Sequence, residues 1–203
     1  MSTSALFHSQ GSQAGLTLVE FLATTAVAAI LASFAMPAFQ QMITNNQILS
    51  QTNELATSFY LARSESAKRG HKVTICASTA DQSNCDSDAD NYSNGWLVYT
   101  DYNDNGVIDP AGTTFDTDHD GSLDSPEQIL HVSQQPAAYF HIVSSRSGST
   151  ENHVSYMPDG QLDKRVLFSL ELIDQRNDKL LSKVSFNLTG RSRACVVRPD
   201  RDC

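Results

Sequence analysis

The twelve residues from Asp116 to Glu127, DTDHDGSLDSPE, carry oxygen donors at the spacing that a hard cation requires. Carboxylates stand at the first, third and fifth positions, Asp116, Asp118 and Asp120, where a tight loop would turn them toward one point. Gly121 permits the sharp turn, the backbone carbonyl of Ser122 adds a donor, and Leu123 is expected to anchor the loop inward. Asp124 can bind directly or through water, and Glu127 can chelate with both oxygens. Oxygen donors in this number suit calcium better than zinc or copper. A second string, Asp101-Tyr-Asn103-Asp-Asn105-Gly106-Val-Ile-Asp109, repeats the first nine positions. Its twelfth is Gly112, so this earlier loop is expected to bind weakly or to borrow a ligand from elsewhere. The ion would fold a loop and would perform no chemistry. The alternative is a pair of solvated Asp/Asn/Gly turns that hold no metal.

These loops account for the charge of the chain. It has 203 residues and a formal net charge of −9. Residues 81–127 hold 12 acidic side chains and no Lys or Arg, so the remainder is basic by +3. The sequence pI of about 4.9 argues against a generic nucleic-acid coat, yet the uneven distribution leaves a basic surface available. The length allows one or at most two domains, and 40% hydrophobic residues are enough for a core.

Four cysteines, at 76, 85, 195 and 203, imply an oxidising compartment. Three pairings are open. Cys76–Cys85 and Cys195–Cys203 would each close a short local loop, and no CxxC or close Cys/His pair favours zinc.

The elements that must position these residues follow from periodicity. No charged residue occurs from Phe21 to Asn53, and the apolar run Phe21–Phe39 would span about 28 Å as a helix, close to the thickness of a bilayer core. Beyond Gln40, Ile48, Thr52, Leu55, Phe59, Ala62 and Ser66 recur at helical spacing, broadened by Leu49, Ala56 and Leu61. Lys68, Arg69 and Gly70 suit the last turn and its cap. One helix over residues 18–69 is therefore predicted, with its first half in lipid. Strands are predicted at 72–78, 95–100, 128–133, 138–143, 154–157, 165–172 and 181–188, with turns at Pro158–Gly160 and Arg176–Asp178. Trp96 reads as a core aromatic on its strand.

The string Gly15-Leu16-Thr-Leu-Val-Glu20 before the apolar run resembles the type III signal of type IV pilins and pseudopilins. The resemblance implies that a prepilin peptidase cuts between Gly15 and Leu16 and methylates the new amino terminus. Glu20 becomes the fifth mature residue, able to pair with the amino terminus of a neighbouring subunit, and Pro37 the twenty-second, where the family often kinks its helix. A carboxylate beside a bilayer core is costly unless it is paired. The strings Ala62–Gly70, Val73–Cys76 and Asn94–Asp101, with Glu127–Leu130 and Gly190-Arg191, are similar to the GspH/FimT branch of these proteins. That resemblance implies an α+β fold, a long N-terminal helical spine packed on antiparallel β-sheets. It divides the chain into a leader (1–15), a transmembrane and spine helix (16–69) and a β-rich periplasmic domain (70–203) that carries the acidic loops 101–127. Gly190-Arg191-Ser-Arg193 further resembles the start of a glycine–arginine motif by which FimT-like pilins bind DNA. Cys195 occupies the position of that motif's next arginine, and Arg198 and Arg201 could substitute if a disulfide folds the tail back. Arginines in a row bind phosphates through counterion release.

Three classes of function follow. The first is a non-catalytic minor pilin that joins, primes or caps a type IV pilus, or the related minor pseudopilin of a type II secretion system. The second is the same scaffold binding DNA for natural transformation. The third, a membrane-anchored enzyme, is disfavoured: the sequence contains no GxSxG, HExxH, P-loop or GxGxxG, and its six histidines are scattered. Expected partners are other pilin subunits, the prepilin peptidase, the inner membrane and, in the second class, DNA.

Overall fold

A computed structural model describes residues 15, 17–87, 92–123, 125–133, 135–136, 140–146, 153–163, 168–187 and 189–197. The chain divides into two compact units, residues 1–44 and 45–203. Helix α1, Leu18–Arg69, begins in the first and ends in the second. The Thr17 hydroxyl accepts the Glu20 backbone N–H at 3.2 Å, so Thr17 caps the helix and Glu20 lies where a capping box places its acid. At the other end, Gly70 takes φ +71° and donates to the Ser66 carbonyl at 3.0 Å, a left-handed cap.

The described residues of the first unit form a helix without a core. Its best 18-residue window has mean hydropathy 1.9 and none of it is buried. Leu18 and Phe34 are about three-quarters exposed, at 75% and 74%. Polar side chains here turn back on the helix. Thr24 and Thr25 donate to the Phe21 carbonyl and Ser33 to that of Ile30, which leaves no hydroxyl of these three unmet in an apolar medium. A helix that is apolar all round needs lipid or other helices around it.

The second unit is α+β. Strands β1 (Val73–Ala77), β2 (Trp96–Thr100), β5 (Ile129–Val132) and β7 (His153–Tyr156) form one antiparallel sheet in the order β5-β2-β1-β7. Strands β6 (Phe140–Arg146), β8 (Phe168–Asp174), β9 (Lys179–Phe186) and β10 (Ser192–Val196) form another in the order β10-β9-β8-β6. A ribbon of β3 (Thr114–Phe115) and β4 (Ser125–Pro126) stands apart. All six spine residues from Ile48 to Ser66 that follow helical spacing are buried. Ile48, Leu55, Phe59 and Ala62 share one core with Val73, Ile75, Trp96, Val98 and Tyr156 of the first sheet and with Ile142, Leu170, Val184 and Phe186 of the second. Polar bonds fix the same contacts: Thr52 to Ser182 at 2.6 Å, and Ser66 to the Met157 carbonyl at 3.0 Å.

Two expectations are corrected and one element is new. Leu49 does not broaden the buried face, since it is 49% exposed. The arginine segment is no tail: Ser192–Val196 pairs along β9, with Arg193 opposite Ser185. The ribbon was also not foreseen, because strands of two residues leave no periodicity to read.

Candidate functional site

Every residue of β1 and β2 is buried, which a sheet covered on one face would not show. Val73, Ile75, Trp96 and Val98 face the main core. The alternate residues Cys76, Leu97 and Tyr99 form a second small core with Cys85 and Ile108. Two segments therefore roof the outer face of this sheet. One is the loop tied down by the Cys76–Cys85 disulfide, with Cα atoms 5.5 Å apart. The other is the first acidic loop, which Ile108 pins at its eighth position.

The two acidic loops share one backbone plan. Position four is left-handed in both, Asp104 at φ +61° and His119 at +65°, as is the glycine at position six, Gly106 at +71° and Gly121 at +91°. The carboxylate at position one accepts the glycine amide, Asp101 from Gly106 at 3.1 Å and Asp116 from Gly121 at 3.0 Å. The side-chain oxygen at position three accepts the amide of position five, at 3.2 Å for Asn103 and 3.1 Å for Asp118. That of position five accepts the amide of position seven, at 2.9 Å for Asn105 and 2.7 Å for Asp120. The sequence repeat is thus also a conformational repeat.

Their surroundings differ. Asp116, Asp118 and Asp120 bring ligand oxygens within 4.8 Å of one another, but Asp118 and Asp120 are exposed. Burial works against ionisation of Asp116, yet the amides of Gly121, His119 and Asp120 hold its pKa below the ordinary value. Leu123 does not anchor this loop inward: it is 70% exposed. Asp124 lies outside the described residues. Glu127 does not close this loop either. Its Oε1 accepts the Tyr102 amide at 3.0 Å and its Oε2 the Asp109 amide at 2.9 Å, so it spans both ends of the first loop. Burial pushes the Glu127 carboxyl up, the two amides oppose this, and the charges of Asp101 and Asp109 add to it.

Strand pairing explains the exchange. Tyr99 of β2 lies opposite Ile129 of β5, and the Thr100 amide donates to the Gln128 carbonyl at 3.0 Å. Residue 127 must then arrive beside residue 101. Two predicted strands at 95–100 and 128–133, once paired antiparallel, carry that signal. Sequence spacing alone missed the burial of Asp101, which is 1% exposed and accepts from Thr74 at 3.2 Å. Thr74 in turn bonds Ser155 at 2.7 Å. Lys72 pairs with Asp104 at 2.5 Å and Asp163 at 3.1 Å, tying position four of the loop to the 157–163 turn.

The remaining candidates are separate. Gly15 and Glu20 are exposed, and Leu16 lies outside the described residues. Arg191 and Arg193 are exposed, the second on β10, an outer strand of its sheet. Cys195, on the same strand, is disulfide-bonded. Cys203, Arg198 and Arg201 lie outside the described residues.

Comparison with known proteins bears on the whole chain. No curated protein matches it. The solved structures it resembles include the type IV minor pilin FimU of Pseudomonas aeruginosa in two crystal forms. One has 18% identity and TM-score 0.47, covering 77% of this chain and 92% of that one. The other has 17% identity and TM-score 0.46, covering 72% and 90%. The family described as type II transport protein GspH matches residues 51–190. That span takes in the buried half of the spine, both acidic loops and nearly all of both sheets, and the chain belongs to the GspH family of pilin-like proteins.

Proposed function

We propose that the chain is a minor pilin, a non-catalytic subunit that joins, primes or caps a type IV pilus. The observation that carries this reading is the first unit. Among the described residues it is a helix that is apolar on all sides and buried nowhere, with one carboxylate, Glu20, in its first turn. Such a helix is at home in a bilayer and then among the helices of other pilin subunits, where Glu20 can meet the amino terminus of a neighbour. On this reading the leader 1–15 is removed by a prepilin peptidase and Leu16 is methylated. Before assembly the helix sits in the inner membrane with the second unit in the periplasm, which suits the Cys76–Cys85 disulfide. A minor pseudopilin of a type II secretion system would use the same parts, and the identity of the neighbouring subunits separates the two. Expression beside a prepilin peptidase, with mass analysis of the amino terminus, tests the reading.

A second reading has its own observation. Arg191 and Arg193 are exposed at the rim of the second sheet, where phosphates could reach both. In a gel-shift titration of the full chain in detergent, DNA binding would be sequence-independent and would weaken steeply with salt. Arg191→Ala with Arg193→Ala is expected to weaken it about tenfold or more and to lower the salt slope by about two. Wild type that binds no DNA at low salt, or a double variant that binds equally well, removes this reading.

A further inference from the structure

An open groove of about 690 Å³ lies between α1, from Thr57 to Ala67, and Asp159 and Gly160 of the 157–163 turn. That volume is in the range of sites that take small molecules. Gly160 is the junction. It is buried at φ +74°, and a Cβ placed on it would stand 3.0 Å from the Arg63 Nε. On its other side, its carbonyl oxygen is 2.9 Å from where a Cβ on Gly190 would stand. Arg63 of the spine and the Gly190-Arg191 segment thus meet at one turn, although they are far apart in sequence. Tyr60 ties the same elements together: its hydroxyl donates to the Ser192 carbonyl at 3.4 Å, between Arg191 and Arg193 in the chain.

Two features of this groove point to a ligand. Among the described residues, no carboxylate pairs with Arg63, Arg191 or Arg193. By contrast, Arg69, Lys72, Arg176 and Lys183 each hold an acid. The acid at the groove's rim, Asp159, is committed to its own turn, accepting from the Gln161 amide at 2.8 Å and from the Gln161 side chain at 3.0 Å. The second feature is Tyr60, which lines the groove and is 54% exposed while its hydroxyl is anchored. A large aromatic ring left open to water, beside cations without partners, is the combination that binds nucleotides: a π-face for a base and guanidinium groups for phosphates.

We propose that this groove is a single-stranded DNA site, in which Tyr60 stacks a base and Arg63 takes a phosphate of the strand that Arg191 and Arg193 hold. The inference rests on the DNA reading above and names its substrate class. Arginines alone attract duplex and single strand alike through their charge. The ring discriminates between them. A single strand can turn a base onto an exposed aromatic face, whereas the bases of a duplex are stacked on one another and offer Tyr60 no face to meet. An acidic protein segment would use the arginines and leave the ring idle.

Fluorescence anisotropy of the full chain in detergent tests this, with a labelled single strand of about 12 nucleotides and mixed sequence, and with the duplex it forms. At equal salt the strand is expected to bind about tenfold more tightly than the duplex. Tyr60→Leu should weaken strand binding about tenfold and leave duplex binding within about twofold, and Tyr60→Phe, which keeps the ring, should bind the strand within about twofold of wild type. Arg63→Gln should lower the salt slope for the strand by about 0.7, the value of one phosphate contact. Wild type that binds neither strand nor duplex removes the DNA reading and this inference with it. Binding that is lost in the Arg191→Ala, Arg193→Ala double variant but unchanged in Tyr60→Leu and Arg63→Gln keeps that reading and overturns this inference. A preference for the duplex overturns it too. So does displacement of the strand by polyglutamate as readily as by unlabelled strand, which would point to an acidic protein partner instead.

Discussion

Phe59→Ala is expected to cost the second unit about 3–5 kcal/mol, the range for removing a buried aromatic and leaving its cavity. Phe59 is 1% exposed and sits where the spine meets both sheets. Its ring lies 4.1 Å from that of Phe186 on β9 and 6.5 Å, edge to face, from that of Tyr156 on β7. Neither sheet can close the gap alone, because the other partner and the helix hold the walls apart. Denaturant titration followed by Trp96 fluorescence should show a lower midpoint with a similar slope. A loss below about 1 kcal/mol would mean that the site collapses freely and that Phe59 does not couple the two sheets.

Gly190→Ala carries the second large expected effect. Gly190 adopts φ +73°, where a non-glycine residue costs about 1–2 kcal/mol. An added Cβ would lie 2.9 Å from the Gly160 carbonyl oxygen and 2.7 Å from Cε1 of Tyr156. The first of these is backbone and the second belongs to a fully buried ring whose hydroxyl donates to the Gly190 carbonyl at 2.9 Å. Overpacking of this kind adds about 1–3 kcal/mol, for a total of about 2–5 kcal/mol. The same denaturation experiment measures it. Near-wild-type stability would show that the 187–191 turn can move away from β7. Gly190 also lies directly before Arg191 and two residues before the start of β10.

The helix was legible almost in full because its rules are local. An apolar run fixed one half, a spacing of three and four the other, and both ends carry caps, Thr17 and Gly70. The long strands were legible within a few residues for the same reason. The acidic loops were legible as loops, down to the left-handed glycines. What could not be read was which acid serves which loop. Glu127 stands twelfth from Asp116 in sequence, but the pairing of β2 with β5 delivers it to Asp101. That is a non-local fact, as is the burial of Asp101 beneath a second core that no periodicity announces. Leu123 failed as an anchor as well: the matching position of the other loop, Ile108, packs on the small core, whereas Leu123 is exposed.

Three roles therefore follow one another along the chain. An uncovered apolar helix is proposed to enter lipid and then a filament. Its continuation is the central beam of the two-sheet unit, and an acidic lid covers the outer face of the first sheet. The central claim is that the helix is a processed pilin spine. Its most direct test is mass spectrometry of the chain after expression in cells that hold a prepilin peptidase, with peptidase-free cells beside them. The account predicts a chain that begins at Leu16 with a methylated amino group only where the peptidase is present. A chain that stays uncut, or one cut at the same place in both cells, would contradict it.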